Sequence, residues 1–133
     1  EKNKNIKIIY KEFPIFGQNS EYAAKASLAA YQLDPEKYLG FHDLLLSQAD
    51  PLNIDTVLSL AKKSGYTEKT LIKIIKKNST EGEILQTQQL AEAMKINYTP
   101  AFIIANKSLT KIRFVPGATS QENLQKIIDE LKQ

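Results

Sequence analysis

The side chains able to do chemistry are few, and the most reactive type is missing. The chain has no cysteine, which excludes disulfides, thiolate zinc sites and every thiol-based reaction within it. His42 is the one histidine. It falls mid-helix by pattern, between Phe41 and Asp43, and a general base there needs a nucleophile and an orienting partner that the sequence does not locate. It reads as a helix-surface or structurally satisfied histidine. Glu12 closes an apolar stretch; buried, it would tune a neighbouring pKa, but a solvated strand-end charge is the simpler reading. Lys69, Lys73, Lys76 and Lys77 read as the outer face of an amphipathic helix, with partner binding as the sharper alternative. The pair Thr99-Pro100 stands directly before an apolar run. A proline there cannot donate to a sheet ladder and leaves the backbone of residue 99 unpaired. No metal and no cofactor is expected.

The elements that must position these residues follow from hydrophobic periodicity. Ile6 to Phe13 reads as a β-strand ended by Pro14 and Gly17. An Ala-rich helix over 19–32 follows, capped by Asn19 or Ser20. Asp34-Pro35 starts a helix running to Ser47, with Tyr38, Phe41, Leu44 and Leu45 on one stripe. Asn53 caps a helix over 54–63, closed by Gly65 in a left-handed turn. Thr67 caps a helix over 68–77. Thr80 and Glu83 have capping-box spacing for a helix over 81–95. Ala101 to Ala105 is a continuous apolar run, expected of a strand buried on both faces. A second strand spans 111–115 and should pair antiparallel with the first across a short turn. Thr119 and Glu122 form a further capping box before a helix over 120–131. The order is β, five helices, β, β, α: an α/β fold with a helical insertion at about 34–78.

Composition narrows the function classes. The chain has 133 residues, room for one domain. Fifteen Leu and fifteen Ile are ample core material, which excludes disorder. No apolar run approaches the roughly 20 residues that cross a bilayer. The net charge is +3, and seventeen of the 18 basic residues are Lys, with Arg113 alone. Nucleic-acid readers lean on Arg for bidentate contacts, so no nucleic-acid partner is expected. The chain opens on Glu1 rather than Met, as expected of a mature form or a piece of a longer protein.

Three stretches together resemble DsbA-type thiol:disulfide oxidoreductases. They are Ile8-Ile9-Tyr10-Lys11-Glu12-Phe13-Pro14-Ile15 with Ser20 to Ala26; Ala93 to Ile104, which includes Tyr98-Thr99-Pro100; and Phe114-Val115-Pro116-Gly117-Ala118 with the final helix. The resemblance runs in order along essentially all of residues 1–133. It implies a single, partial thioredoxin-like domain with a helical insertion, and a cis Thr99–Pro100 bond. It also implies that Tyr98, Thr99 and Pro100 meet the backbone of a substrate peptide by strand-like pairing.

The departure from the family is that its first strand, its Cys-x-x-Cys and the following helix are absent. Thiol–disulfide exchange needs a thiolate attacking a disulfide sulfur, which this chain alone cannot provide. The leading expectation is therefore a DsbA-like domain acting on cysteine-containing proteins or peptides in the bacterial periplasm or envelope, represented without its dithiol. The alternative is a redox-inactive thioredoxin-fold module that binds peptides or proteins along the Thr99-Pro100 edge. A third class is a Lys-rich binder of nucleic acid or membrane surface, marked by steep salt dependence. Open sheet edges recruit other chains, so a homodimer is a further expectation.

Overall fold

The structure, a computed structural model, describes residues 5–77 and 79–132. Two compact units, Glu1–Ala91 and Glu92–Gln133, divide the chain.

The first unit is helical. Its helices are α1 (Gln18–Leu33), α2 (Pro35–Leu46), α3 (Ile54–Lys63), α4 (Glu68–Lys76) and most of α5 (Glu81–Ala93). The alanines of α1 organise it. Ala26, Ala29 and Ala30 are fully buried and meet Phe41 and Leu45 of α2, Val57, Leu60 and Ala61 of α3, and Tyr66 and Leu71. Small side chains let α2, α3 and α4 all pack onto one helix, at the close-packed density of protein interiors. Opposite, Ala24 and Leu28 pack with Ile84 of α5. Lys25 ties the same two helices, its Nζ lying 2.7 Å from Glu21 and 3.1 Å from Glu81.

Local signals set the joints. Asp34 accepts from the amide of Glu36 and Asn53 from that of Thr56, each satisfying an orphan donor of a first turn. Gly65 ends α3 at φ +83°, in the left-handed region. The hydroxyl of the buried Tyr66 donates to the Asp34 carbonyl at 2.8 Å, pinning the α3–α4 connection to the α1–α2 junction. Burial first, and Asp34 second, push the Tyr66 phenol up to about 12.

Other joints differ from the sequence reading. Gly17, not Asn19 or Ser20, precedes α1, with no side-chain cap. Thr67 likewise makes no cap. The Thr80–Glu83 capping box does not form, because the Thr80 hydroxyl is turned into the interior without a partner. Leu44 is 37% exposed and lies off the core stripe of α2; His42 takes the buried place instead.

The expected strand at 6–13 is the main correction. Residues 6–13 form no ladder, and the described residues contain a single sheet, of two strands. Ile8 and Ile9 are 64% and 67% exposed. Alternating apolar residues supply strand propensity, but a strand exists only against a partner.

The second unit holds that sheet. β1 (Ala101–Ala105) pairs antiparallel with β2 (Ile112–Pro116), Ala101 opposite Pro116 and Ala105 opposite Ile112. Asn106 builds the turn: its Oδ1 accepts from the amides of Thr110 and Lys111 at 2.9 and 3.1 Å. α6 (Gln121–Lys132) packs on β1. Ser120, one residue later than expected, caps it by accepting from the amide of Asn123. β1 is not buried on both faces: Ile103 is 46% exposed, because within this unit the sheet has only two strands and one helix.

Candidate functional site

Two places gather the residues singled out by sequence. The first is the start of β1, in the second unit. Tyr98 is half-buried, and Thr99 and Pro100 are exposed. The Thr99–Pro100 bond is cis. The ladder begins one residue later, at Ala101, so the backbone groups of Thr99 lie outside it. β1 pairs with β2 along one edge, and its other edge has no strand beside it among the described residues. A peptide backbone laid along that edge would find strand-spaced donors and acceptors directly after Pro100.

The second place is in the first unit, where Glu12 and His42 come together with two residues that the sequence reading missed. Ser27 of α1 donates its hydroxyl to Glu12 Oε1 at 2.6 Å, and the Tyr38 hydroxyl donates to the same oxygen at 3.4 Å. His42 Nδ1 lies 3.4 Å from Glu12 Oε1 and 3.5 Å from the Tyr38 hydroxyl. Glu12 is thus not a solvated strand-end charge; its side chain is only 16% exposed. His42 is a satisfied structural histidine, the blander of its sequence readings. Tyr10 packs edge-on against His42, with ring centroids 4.9 Å apart, and Tyr38 stacks on His42 at 5.4 Å. Burial foremost, with the Glu12 carboxylate adding to it, raises the Tyr38 pKa far above its ordinary value. That phenol stays protonated and can only donate to the carboxylate.

Two signals for this cluster were present in the sequence. Ser27 interrupts the run of alanines on the buried face of α1, and Tyr38 and His42 stand four apart on α2. Neither says that Glu12 would arrive between them.

The cluster is not arranged as a nucleophile with its base. Such a pair needs the hydroxyl bonded to the imidazole, whereas Ser27 donates to the carboxylate. The cavity that Glu12 lines with Tyr10, Lys11, Leu28, Glu83, Gln86 and Thr87 holds about 50 Å³. That is room for a water or two, far below the roughly 300 Å³ of small-molecule pockets. No group of three or more acidic, histidine or cysteine side chains among the described residues is placed to hold a metal ion. Glu12 therefore fastens the 10–12 stretch to α1 and α2.

Comparison with known proteins gives one consistent picture. The family model for the DSBA-like thioredoxin domain matches residues 1–129. A thioredoxin-like oxidoreductase from Silicibacter pomeroyi superposes with a TM-score of 0.79 at 31% identity, over 92% of this chain and 66% of its own. The thiol-disulfide exchange protein alpha-DsbA2 from Wolbachia pipientis gives 0.77 at 30%, over 92% and 64%. A periplasmic thioredoxin-like protein from Salmonella enterica serovar Typhimurium gives 0.69 at 23%, over 92% and 65%, a likeness of fold. The chain thus spans about two-thirds of the length of these structures. Among curated protein sequences none matches significantly.

Proposed function

This chain belongs to the DSBA-like thioredoxin domain family, with a thioredoxin-like fold, and from that premise we propose that it is the substrate-facing part of a thiol:disulfide oxidoreductase domain acting on cysteine-containing proteins of the bacterial envelope. The observation that carries the proposal is the family match over residues 1–129. The two units form one partial domain, with α2 to α4 as its helical insertion. Tyr98, Thr99 and Pro100 receive an extended substrate segment by strand-like main-chain pairing. Thiolate chemistry comes from a dithiol that this chain does not carry. No cofactor enters, since exchange between thiols and disulfides moves its two electrons through sulfur alone.

The test is to compare the 133-residue chain with the same chain preceded by a DsbA-type strand, Cys-x-x-Cys and helix. The extended chain should exchange thiols and disulfides with a peptide substrate, its own disulfide being reduced as a dithiol peptide is oxidised or its dithiol oxidised as a disulfide is reduced, and the short chain should remain at the uncatalysed rate. Inactivity of a folded extended chain would count against the proposal.

The absence of cysteine favours a second reading, a redox-inactive module that holds peptides or proteins along the same edge. Saturable shifts of the 98–104 amides with an extended peptide, without exchange by the extended chain, would select it. Association of two chains through open sheet edges is a further part of the proposal, and sedimentation at micromolar concentration reads it directly.

A further inference from the structure

The lysines of α3 and α4 are used by neither reading, and they concentrate the charge of the whole chain. Residues 62–77 carry six of the 18 basic residues, Lys62, Lys63, Lys69, Lys73, Lys76 and Lys77, and one of the 15 acidic ones, Glu68. Twelve basic and fourteen acidic residues remain elsewhere, so the excess of positive charge resides entirely here. All six lysines are exposed. None forms an ion pair among the described residues.

Helix geometry gathers them. Lys69, Lys73, Lys76 and Lys77 follow i, i+4, i+7 and i+8 spacing, a single stripe on α4. Leu71, Ile74 and Ile75 occupy the opposite, core-facing side. Lys62 and Lys63 close α3, across the short connection that leads into α4.

Helix stability accounts for part of this pattern only. Lysines in the last turns of α3 and α4 complement the negative helix ends. Lys69, however, sits in the first turn of α4, at the positive end. The pairs Lys69–Lys73, Lys73–Lys76 and Lys73–Lys77 also set like charges at the spacings where they repel. A polyanion laid along the stripe would turn these repulsions into attractions.

We propose that the lysine face of α3 and α4 docks the chain peripherally on an anionic lipid surface. Three observations select lipid over other polyanions. Protein interfaces are built on buried aromatic and Arg anchors and are depleted in Lys, and this stripe offers Lys alone. Nucleic-acid grooves are read with Arg, and the single Arg113 lies in β2 of the other unit. Clusters of four to eight basic residues on an amphipathic helix have the charge density that anionic headgroups recognise, each lysine near the surface contributing about a fivefold gain in partition. The outer stripe carries no large apolar side chain, so contact is electrostatic and does not penetrate the bilayer.

Co-sedimentation of the 133-residue chain with vesicles tests this. One set contains about a third phosphatidylglycerol in phosphatidylcholine, and the other is phosphatidylcholine alone. Binding should appear only on the anionic vesicles and fall steeply between about 50 and 300 mM salt. The quadruple variant Lys69→Gln, Lys73→Gln, Lys76→Gln, Lys77→Gln should bind at least about tenfold more weakly. A variant with the same charge loss elsewhere, Lys107→Gln, Lys111→Gln, Arg113→Gln, Lys126→Gln, should keep most of the binding. Circular dichroism and urea midpoints establish that both variants fold. Equal binding to neutral vesicles, equal loss in the two variants, or tighter capture by a single-stranded oligonucleotide or polyglutamate than by the anionic vesicles would each overturn the proposal.

Discussion

Replacing Glu12 by alanine tests whether one carboxylate holds the 5–16 segment in place. Glu12 Oε1 accepts from Ser27 at 2.6 Å and faces Tyr38 and His42 at 3.4 Å. Without it, Tyr38 retains His42 Nδ1 at 3.5 Å, but Ser27, 1% exposed, loses its 2.6 Å carboxylate acceptor. An unpaired buried hydroxyl costs about 1–3 kcal/mol, and the lost contacts of the 10–12 stretch add to it. The expected loss is about 2 kcal/mol, or about 1 M in the urea midpoint at an m-value of about 2 kcal/mol/M. A double-mutant cycle isolates the cause. In a Ser27→Ala background, where no hydroxyl is left to strand, Glu12→Ala should cost about 1 kcal/mol less. A midpoint shift below about 0.2 M, or an identical cost in both backgrounds, would refute the reasoning and make the Glu12–Ser27 bond energetically idle.

Further outcomes follow from the core, a joint and the buried phenols. Phe41→Ala empties the centre of the four-helix contact around α1, where Phe41 is fully buried, and should cost about 3–5 kcal/mol by urea titration. Gly65→Ala should cost about 1–2 kcal/mol, through the +83° φ alone; an added Cβ would meet the Lys37 side chain no closer than 3.6 Å, which is ordinary contact. Tyr38 and Tyr66 are both held protonated by the fold, burial being the first cause. A phenol whose folded pKa is raised contributes stability that is complete below about pH 10 and lost as pH rises through the folded value. Urea midpoints should therefore decline above about pH 10, and less steeply in Tyr38→Phe.

What the sequence made legible was whatever is decided within a few residues. Asp34-Pro35, Asn53 and Gly65 stand where their joints were expected, because a cap or a left-handed turn needs only its neighbours. β1 falls on Ala101–Ala105, since Pro100 forbids an earlier ladder. Some caps shifted by a residue or two or did not form, but the larger failures were long-range. Ile6 to Phe13 has the alternation of a strand but no partner to make it one. Thr80 has the residue type and spacing of a cap, but the interior took its side chain. The candidate site divides the same way. Tyr98-Thr99-Pro100 is contiguous, so its place directly before β1 was readable, whereas the Glu12 cluster is assembled from three distant segments. Ser27 looked like one more small residue on the alanine face of α1 until Glu12 gave its hydroxyl a purpose.

That alanine face also bears on the order in which the molecule forms. α1 meets α2, α3 and α4, its next three helices in sequence. The core they build is therefore complete within Gln18–Lys76. Folding rates rise as contacts become more local, and during synthesis the N-terminal elements emerge first. Ala26, Ala29 and Ala30 thus give the chain a nucleus that needs nothing from β1, β2 or α6. The unit that holds β1, β2 and α6 can then form afterwards, from its own contacts.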